Sequence, residues 1–438
     1  MLKQALFALA ALAAVCDAQA PPKDRHVIVI SIDGFPAYAL NDEWVAVPNL
    51  RALMKNGVAA QSMKPVNPTV TWPNHTSIVT GVLPAKHGVL YNGAPVRGAA
   101  GLPVKVEPFV PKTKLVHGTT VYDAAHKAGL TTAEVDWVAI QDAPTITWAF
   151  AEYGYPQRPV EREMIASGLV TEEQIKGFRN LPIMLRDEIW TLAGEHIITK
   201  HKPNLLLFHL LTTDSLQHRY GSHTLAAYTA LSHADAKVGR LIEATKKAGI
   251  YERTTFLIVS DHGFRTFDRR IAPNALLAEK GLDKVAYVIP EGGTAMVYVT
   301  QPEGKAQTIA TLKQLFSTLE GVTKVIEPAE FAAWGYPDPA QEPRMADLVL
   351  ATTGSYSFSA ATRDGAIQRE PAGASPGAHG YLNDDTQMQA IFIASGRGIK
   401  RGAKLGDISN LDVAPTIAHL LGVALPDAGH KPLAAILE

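Results

Sequence analysis

Three short apolar runs, each followed closely by an acidic residue, constrain the fold of this chain more than any other sequence feature. The runs are Val27–Ile32, Leu205–Leu211 and Thr255–Ser260, and the acidic residues that follow them are Asp33, Asp214 and Asp261. Unbroken apolar runs of this length are typical of parallel strands that are buried on both faces. Because ligands bind beyond the carboxyl ends of strands in open α/β sheets, we expect the three acids at one edge of a sheet.

Helical segments alternate with these strands, and this alternation predicts the α/β class. The clearest helices are Pro48–Lys55, Thr224–Lys247 and Leu411–Leu421. The first two end shortly before a glycine, and the third carries a proline near its start, where proline is tolerated. With 438 residues, the chain is long enough to bury a sizeable core.

Two stretches break the alternation and predict the domain organisation. Residues 287–349 have the pattern of a small inserted α+β subdomain, or cap, with a helix at Ala306–Leu319 between strands. This stretch is bounded by Pro-Glu-Gly-Gly and by Pro-Arg-Met. Residues 150–180 are polar and are a possible insertion. We therefore expect residues 21–286 and 350–438 to form the two parts of one catalytic core.

The first twenty residues have the pattern of a secretory signal peptide. Lys3 precedes the apolar run Ala5–Val15, and Ala18-Gln19-Ala20 is a typical cleavage signal. We expect export to the periplasm or the medium, with no transmembrane segment after cleavage. Since Cys16 is the only cysteine, a metal bound by the mature chain has to use histidine, carboxylate or hydroxyl ligands.

The charge balance limits the class of partner. Lysine and arginine together number 41 against 42 acidic residues, which gives a formal net charge of −1. This balance gives no support to a nucleic-acid clamp or a polybasic membrane binder. A small-molecule substrate is the expected partner.

Histidines accompany the strand-end acids with a spacing that suits metal ligands. His218 lies four residues after Asp214, His262 follows Asp261, and His379 lies among small residues in Gly-Ala-His-Gly. With Asp33, the set comprises three carboxylates and three imidazoles. Such a mixed set suits two zinc ions a few ångströms apart. A zinc pair can hold both the attacking and the departing oxygen of a phosphoryl displacement.

A hydroxyl-rich segment at residues 67–81 contains the candidate nucleophile. Its two prolines, Pro68 and Pro73, restrict the backbone, and a helix is expected to begin near Pro73. A hydroxyl at a helix start lies at the positive end of the helix dipole, and a bound zinc would lower its pKa. The spacing alone does not choose among the hydroxyls of the segment, which include Thr69, Thr71, Thr76, Ser77 and Thr80.

These motifs together resemble the nucleotide pyrophosphatase/phosphodiesterase family of the alkaline phosphatase superfamily. The resemblance rests on Ser-Ile-Asp-Gly-Phe at 31–35, Pro-Thr-Val-Thr-Trp-Pro-Asn-His at 68–75, Ser-Ile-Val-Thr-Gly at 77–81, His-Gly-Val at 87–89 and the metal motifs. It extends from about residue 26 to the C-terminus and is dense over 27–92, 205–263 and 377–395. It implies an alkaline-phosphatase-like, mostly parallel sheet with helices on both faces, and an exported, two-zinc phosphodiesterase.

Carried over by position, the resemblance makes Thr71 the nucleophile that forms a phosphothreonine intermediate. It implies one zinc held by Asp33, Thr71, Asp261 and His262, and a second held by Asp214, His218 and His379. It also places the Asn92 amide and the Trp72 backbone N–H on a phosphate oxygen, as an anion hole. The Trp72 ring is expected to stack on the leaving group, although a core position is equally reasonable, and Asn92-Gly93 is also a turn signal.

The remaining histidines are expected to have structural roles. His75, His87, His126, His233 and His419 are expected to cap, to pack or to face solvent. His209 departs from the family pattern, because related enzymes often carry a substrate-facing tyrosine at this point.

Charge favours a diester over a monoester substrate. A monoester dianion needs a cation or donor beyond two metals, and residues 131–149 contain no lysine, arginine or histidine. The alternatives are a phosphomonoesterase or phosphonate hydrolase of the same superfamily, and a non-catalytic metal-binding surface protein. The sequence does not choose among nucleotide, dinucleotide and lipid head-group diesters.

Overall fold

The computed structural model describes residues 23–152 and 154–438. The expected signal peptide, residues 1–20, lies outside the described residues. None of the helices in the described ranges combines the length and apolar character that crossing a membrane requires.

Within the described ranges, twenty strands form one large sheet, one four-stranded sheet and four smaller sheets. In chain order the strands are β1 (His26–Ile32), β2 (Val58–Ala59), β3 (Met63–Lys64), β4 (Ala94–Val96), β5 (Lys105–Glu107), β6 (Thr132–Val135), β7 (Trp148–Phe150), β8 (Leu205–Leu210), β9 (Thr254–Val259), β10 (Arg265–Thr266), β11 (Arg269–Ile271), β12 (Ala286–Pro290), β13 (Thr294–Val299), β14 (Val322–Ile326), β15 (Leu348–Thr352), β16 (Tyr356–Phe358), β17 (Ile367–Arg369), β18 (Gly377–Ala378), β19 (Phe392–Gly396) and β20 (Ile408–Ser409).

The central sheet has seven strands in the order β2-β19-β9-β1-β8-β6-β7. The three strands expected from the apolar runs, β1, β8 and β9, lie side by side and are parallel, with Val27 opposite both Leu205 and Thr255. Strand β19 runs antiparallel to its neighbours β9 and β2. The expected mostly parallel sheet is therefore confirmed.

Thirteen α-helices connect these strands in the described part of the chain. They are α1 (Pro48–Asn56), α2 (Thr71–Thr80), α3 (Pro84–His87), α4 (Lys112–Leu115), α5 (Val121–Lys127), α6 (Pro159–Ala166), α7 (Glu172–Lys176), α8 (Ile183–His196), α9 (Thr212–Tyr220), α10 (Leu225–Lys247), α11 (Pro273–Glu279), α12 (Lys305–Ser317) and α13 (Val413–Leu421). Short 3₁₀ turns occur at Ala37–Asn41, Phe178–Asn180, Tyr251–Arg253, Pro328–Trp334, Thr386–Met388, Asn410–Asp412 and Ala434–Ile436, and a π-helical turn at Ile197–His201 continues α8.

Helices cover both faces of the central sheet. Successive side chains of each strand point to opposite faces, so a strand that is apolar throughout presents an apolar surface to the helices on either side. In β1, Ile28 and Ile30 pack with the helices α1, α8 and α10 on one face. Val27 and Val29 pack with α2, α5 and α13 on the other face. All four side chains are buried, which explains why the strand is apolar at consecutive positions rather than at alternate ones.

One helix begins later than the sequence indicates. Helix α13 starts at Val413, because Asn410–Asp412 forms a 3₁₀ turn instead. Ser409 caps this turn in a reciprocal arrangement with Asp412. The cap fixes the tighter turn and moves the α-helical start by two residues.

The four-stranded antiparallel sheet, in the order β12-β13-β15-β14, occupies residues 286–352. The Pro-Glu-Gly-Gly segment, expected to bound the inserted subdomain, is the turn between β12 and β13, and the 3₁₀ turn Pro328–Trp334 connects β14 to β15. The assignment of residues 287–349 as a cap stays a prediction. Residues 150–180 contain α6 and α7, and their status as an insertion also stays a prediction.

Candidate active site

Acidic residues gather at the carboxyl edge of the central sheet. Asp33 directly follows β1, Asp261 lies two residues beyond β9, and Asp214 lies in the first turn of α9 after β8. Because these three strands are parallel neighbours, the chain leaves each of them at the same edge. Asp33 and Asp261 are fully buried there.

The structure brings these acids together with histidines into two groups that can hold a metal. The ligand atoms of each group lie within 4.8 Å of one another. The first group is Asp33, Asp261 and His262, and the second is Asp214, His262 and His379. His218 lies beside the second group, with its Nε2 at 3.2 Å from Asp214 Oδ1. The six side chains expected to hold two cations are thus adjacent, with His262 between the two groups.

The three histidines have a common orientation. Each uses Nδ1 for a main-chain carbonyl at 3.0 Å: His262 with Gly263, His379 with Thr69, and His218 with Gly377. A hydrogen bond from Nδ1–H leaves the lone pair on Nε2, so the carbonyl fixes both the tautomer and the ring orientation that a metal ligand needs. Each Nε2 is directed at a carboxylate, as in His379, where it lies 3.6 Å from Asp214 Oδ1.

Several polar atoms at the centre of the site are buried without a hydrogen-bond partner among the described residues. They are Asp33 Oδ1, Asp214 Oδ1, Asp261 Oδ2 and His262 Nε2. An unpaired buried polar atom costs about 1–3 kcal/mol, and more when it is charged. Divalent cations would satisfy all four atoms, and oxygen and imidazole nitrogen are suitable zinc ligands. The donor set therefore fits zinc.

The electrostatics of the site agree with this fit. Burial, together with the nearby carboxylates of Asp261 and Asp214, raises the pKa of Asp33 well above its ordinary value. Burial lowers the pKa of His262 to about 4 and that of His379 to about 3. The two imidazoles are therefore neutral near pH 7, and their nitrogens can act as ligands.

Thr71 differs from the other hydroxyls of its segment in its hydrogen bonding. The other four donate to main-chain carbonyls: Thr69 to Tyr381, Thr76 to Trp72, Ser77 to Val82, and Thr80 to Thr76. Among the described residues, Thr71 Oγ1 has a single long hydrogen bond, which it accepts from Asn92 Nδ2 at 3.5 Å. Thr71 is the first residue of α2 and is 8% exposed. Its hydroxyl is therefore free to react.

Asn92 and Trp72 pair with each other beside Thr71. The backbone N–H of Trp72 donates to Asn92 Oδ1 at 2.9 Å, whereas the family resemblance implies that this N–H faces a phosphate oxygen. The bond turns the amide so that Nδ2 faces Thr71 Oγ1. In this arrangement Asn92 presents the donor, and Trp72 holds Asn92 in place.

A cavity of about 270 Å³ surrounds Thr71. The expected site residues Asp33, Asn92, Asp214, His218 and His379 line it together with Thr71 and the Trp72 ring. No lysine or arginine is among its described lining residues, and two further acids, Asp136 and Glu152, are.

A larger cavity of about 350 Å³ adjoins the first one. The two cavities share Trp72, Pro108, Val138 and Glu152 as walls. The Trp72 ring is half-buried, with its inner part packed against an apolar cluster that includes Val89. Trp72 thus faces the cavities and also packs on the interior, and its stacking on a leaving group stays a prediction.

Two supporting residues were not identified from the sequence as parts of the site. His209, in β8, lies between two carboxylates, with Nε2 at 3.1 Å from Asp33 Oδ2 and Nδ1 at 3.1 Å from Asp136 Oδ2. Asp136 directly follows β6, so the strand-end rule used for the other acids could have found it. The apolar run before Asp136 is short and is interrupted by Glu134, so the sequence did not predict this strand. Through its contact with Asp33 Oδ2, His209 orients the Asp33 carboxylate.

His75 also supports the site, in addition to packing as expected. Its ring lies against Trp137 and His209, with centroids 4.7 and 4.5 Å away. Its Nδ1 lies 2.9 Å from the Thr71 carbonyl oxygen and 3.7 Å from Asp261 Oδ2. His75 thereby connects the first turn of α2 to the Asp261 carboxylate.

Comparison with known proteins identifies one family. The family model described as type I phosphodiesterase / nucleotide pyrophosphatase matches residues 27–382. This range contains all nine residues that the sequence analysis assigns to the site.

Curated relatives match along nearly the whole chain. An uncharacterized pyrophosphatase/phosphodiesterase of Schizosaccharomyces pombe is 26% identical over 413 residues, which cover 92% of this chain and 78% of that protein. Human ectonucleotide pyrophosphatase/phosphodiesterase family member 7 is 25% identical, with 100% and 88% covered. Human family member 1 is 26% identical over 90% of this chain, which spans only 40% of that longer protein.

A solved structure shows the same fold. Murine ectonucleotide pyrophosphatase/phosphodiesterase 5, an inactive threonine-to-alanine variant in complex with AMP, superposes with a TM-score of 0.70 at 20% identity. The match covers 92% of this chain and 96% of that chain. The alkaline-phosphatase-like fold implied by the resemblance is confirmed.

Proposed function

The chain belongs to the type I phosphodiesterase / nucleotide pyrophosphatase family, and on this basis we propose that it is an exported, zinc-dependent hydrolase of phosphate diesters that acts through a phosphothreonine. The observation that carries the proposal is the Thr71 hydroxyl, which makes no bond to a main-chain carbonyl of the described residues and lies in the same cavity as Asp33 and Asp214, each with an unpartnered carboxylate oxygen.

We assign one zinc to Asp33, Thr71, Asp261 and His262, and the other to Asp214, His218 and His379. Each carboxylate has at least one oxygen directed into the site, and each imidazole directs Nε2 there. When bound, the zinc pair supplies Lewis-acid stabilisation of the attacking and departing oxygens and of the phosphoryl charge.

Thr71 is the nucleophile in this proposal. Its hydroxyl loses its proton, and Oγ1 forms a bond to phosphorus while the bond to the leaving alcohol breaks and that alcohol takes up a proton. Water then attacks the phosphothreonine, breaks the bond between Oγ1 and phosphorus, and restores the Thr71 hydroxyl. Two displacements in sequence retain the configuration at phosphorus. The position of Thr71 at the N-terminus of α2 favours negative charge on Oγ1 and on the phosphate.

Asn92 stabilises the phosphoryl oxygen in both steps. Its Nδ2 already lies beside Thr71 Oγ1, and its Oδ1 is held by the Trp72 N–H. A donor fixed in this way before the reaction costs little reorganisation in the transition state.

The lining of the cavity favours a diester substrate. A monoester dianion would lie beside Glu152 and Asp136 with no lysine or arginine among the described lining residues to balance its extra charge. A diester monoanion needs no such cation, and its second substituent can enter the adjoining cavity past Trp72. The murine relative binds AMP, so a nucleoside is a reasonable occupant of that cavity.

Export is proposed from the N-terminal pattern. Residues 1–20 combine a basic start, an apolar run and a cleavage signal. Edman sequencing of the protein purified from culture medium or periplasm tests this part, with an N-terminus near residue 19 or 21 as the expected result.

The catalytic proposal is tested by comparing two substrates and three proteins. Wild-type protein is expected to hydrolyse bis-p-nitrophenyl phosphate with a higher kcat/KM than p-nitrophenyl phosphate. Thr71→Ala is expected to lose turnover while retaining bound zinc. Thr76→Ala is the matched control, because its hydroxyl lies on the same helix but is bonded to a main-chain carbonyl.

Mass spectrometry of the wild-type protein quenched during turnover of bis-p-nitrophenyl phosphate is expected to show a phosphoryl group that still carries one p-nitrophenyl ester on Thr71. Wild-type activity in Thr71→Ala contradicts the nucleophile assignment, and a preference for the monoester contradicts the substrate class. A panel of a dinucleoside polyphosphate, the p-nitrophenyl ester of TMP and a lysophospholipid then identifies the leaving group.

A further inference from the structure

A third group of potential metal ligands lies outside the candidate active site. It comprises Glu163, His196 and His201, whose ligand atoms lie within 4.8 Å of one another. Among the described residues it is the only such group that shares no residue with the two groups described above. We propose that these three side chains bind a divalent transition-metal ion, zinc in the first instance, as a His₂Glu site.

The geometry of the three side chains converges on one point. Glu163 Oε2 lies 2.9 Å from His196 Nε2 and 2.7 Å from His201 Nε2. In a tetrahedral zinc site with ligand distances of about 2.1 Å, the donor atoms are separated by about 3.4 Å. For an ion to enter, His196 Nε2 therefore needs to move about 0.5 Å from the oxygen and His201 Nε2 about 0.7 Å. Two imidazoles and one carboxylate, with a fourth position for water, form a ligand set that zinc uses.

The main chain is shaped to bring the two histidines together. His196 and His201 are five residues apart, and in a regular α-helix such residues point about 140° apart around the axis. Here Ile197–His201 forms a π-helical turn, closed by a hydrogen bond from the Lys202 N–H to the Ile197 carbonyl at 3.1 Å. The wider turn places both rings on one face, opposite Glu163 of α6. Single π-turns are rare and occur frequently at functional sites.

The surroundings also suit a bound cation. The two histidine side chains are 11% and 9% exposed and that of Glu163 is 24% exposed, so the group is sheltered but reachable. Lys200 pairs with the other carboxylate oxygen, Oε1, at 3.0 Å, which leaves Oε2 for the ion and orients the carboxylate. Although burial opposes it, hydrogen bonds from both imidazoles and from Lys200 lower the pKa of Glu163 to about 2. The carboxylate is therefore charged at neutral pH. An ion bound here would take the place of the two imidazole protons that face Oε2.

The site adjoins the larger cavity through one aromatic ring. Trp148 stacks on His201, with ring centroids 3.5 Å apart and planes 17° apart, and Trp148 also lines the cavity. The first residue of α6, Pro159, lines it as well. An ion held by Glu163 and His201 would therefore join α6 to the end of α8 and stiffen the wall of the cavity.

The test compares the zinc content of variants of the full-length protein. Each protein is stripped with EDTA, reloaded with zinc chloride and desalted into zinc-free buffer, and its zinc is then measured by plasma mass spectrometry. Wild-type protein is expected to retain one zinc per chain more than His196→Ala/His201→Ala and more than Glu163→Gln. His126→Ala, which removes an exposed histidine, is the matched control and is expected to equal the wild type.

Equal zinc content in wild type and Glu163→Gln overturns the proposal, as does an extra zinc that is retained only in millimolar zinc. Since the readout is a difference between variants, it is independent of how many ions the candidate active site holds. If the variants do not fold, crystals of wild-type protein that has been reloaded with zinc and desalted in the same way keep the test decisive. An anomalous difference peak between Glu163 and the two histidines supports the site, and its absence overturns it.

Discussion

Replacing Asn92 tests the electrostatic part of the proposed mechanism. In the structure, this side chain has two separable functions: Oδ1 accepts the Trp72 N–H at 2.9 Å, and Nδ2 faces Thr71 Oγ1 at 3.5 Å. Asn92→Ala removes both. Asn92→Asp keeps an oxygen for the Trp72 N–H but replaces the donor with a second acceptor. The pair of variants therefore separates the role of Oδ1, which accepts the Trp72 N–H, from the role of Nδ2, which donates to the phosphate.

The expected magnitude follows from the geometry of the donor. Nδ2 is positioned next to the atom that bonds to phosphorus, so its hydrogen bond to a phosphoryl oxygen forms most fully in the transition state. Loss of one such prepositioned donor lowers kcat by about 10²–10³, or about 2.7–4 kcal/mol. Asn92→Ala is expected in this range. Asn92→Asp is expected to lose at least as much, because a carboxylate would repel the phosphate.

The assay is steady-state hydrolysis of bis-p-nitrophenyl phosphate, with kcat and KM determined separately. Zinc content and the thermal midpoint of each variant are measured alongside, and both are expected to match the wild type, since Asn92 is not itself a metal ligand and its side chain is exposed rather than part of the core. An Asp variant with wild-type kcat would refute the donor role and leave Asn92 as a turn residue. A parallel loss of zinc would instead show that Asn92 supports the metal site.

Three further predictions concern the metal, the backbone and the pH dependence. EDTA is expected to abolish hydrolysis of bis-p-nitrophenyl phosphate and added Zn²⁺ to restore it, and activity that survives EDTA with zinc removed would contradict the two-metal assignment. Gly380→Ala is expected to lower the free energy of unfolding by about 2–5 kcal/mol in urea titrations, because φ is +77° and a Cβ would lie 1.5 Å from the Glu291 carbonyl oxygen. The control is Gly402→Ala, where φ is +68° but the surrounding space is open, and it is expected to lose only about 1–2 kcal/mol. Equal losses in the two variants would contradict the packing argument. Burial raises the pKa of Glu134 from 4.5 to about 8, so its contribution to stability is present below pH 4.5 and is lost as the pH rises towards 8. At pH 9, the free energy of unfolding of Glu134→Gln in urea titrations is therefore expected to exceed that of the wild type by more than about 1.4 kcal/mol. A variant of equal or lower stability at that pH would show that the carboxyl ionises without penalty.

The sequence by itself determined three strands of the central sheet and the acids that follow them. Buried parallel strands are apolar along their whole length, so β1, β8 and β9 could be recognised as unbroken runs, within one residue of their observed ends. Parallel strands end at one edge, so Asp33 and Asp261 could be predicted to meet although 228 positions separate them along the chain. Both inferences depend only on local pattern and on a general property of sheets.

The tertiary structure alone decided which groups are free to act. Spacing did not separate the Thr71 hydroxyl from that of Thr76, and only the family resemblance singled out Thr71. The folded hydrogen bonds give the physical difference, because the Thr76 hydroxyl is bound to a carbonyl and the Thr71 hydroxyl is not. His209 and Asp136 support Asp33 from strands that become neighbours only in the sheet. His196 and His201 meet because one turn of helix is wider than the α-helical pattern predicts. A hydroxyl, an imidazole or a carboxylate takes its role from the partner it faces, and those partners are fixed by packing between distant segments rather than by spacing along the chain.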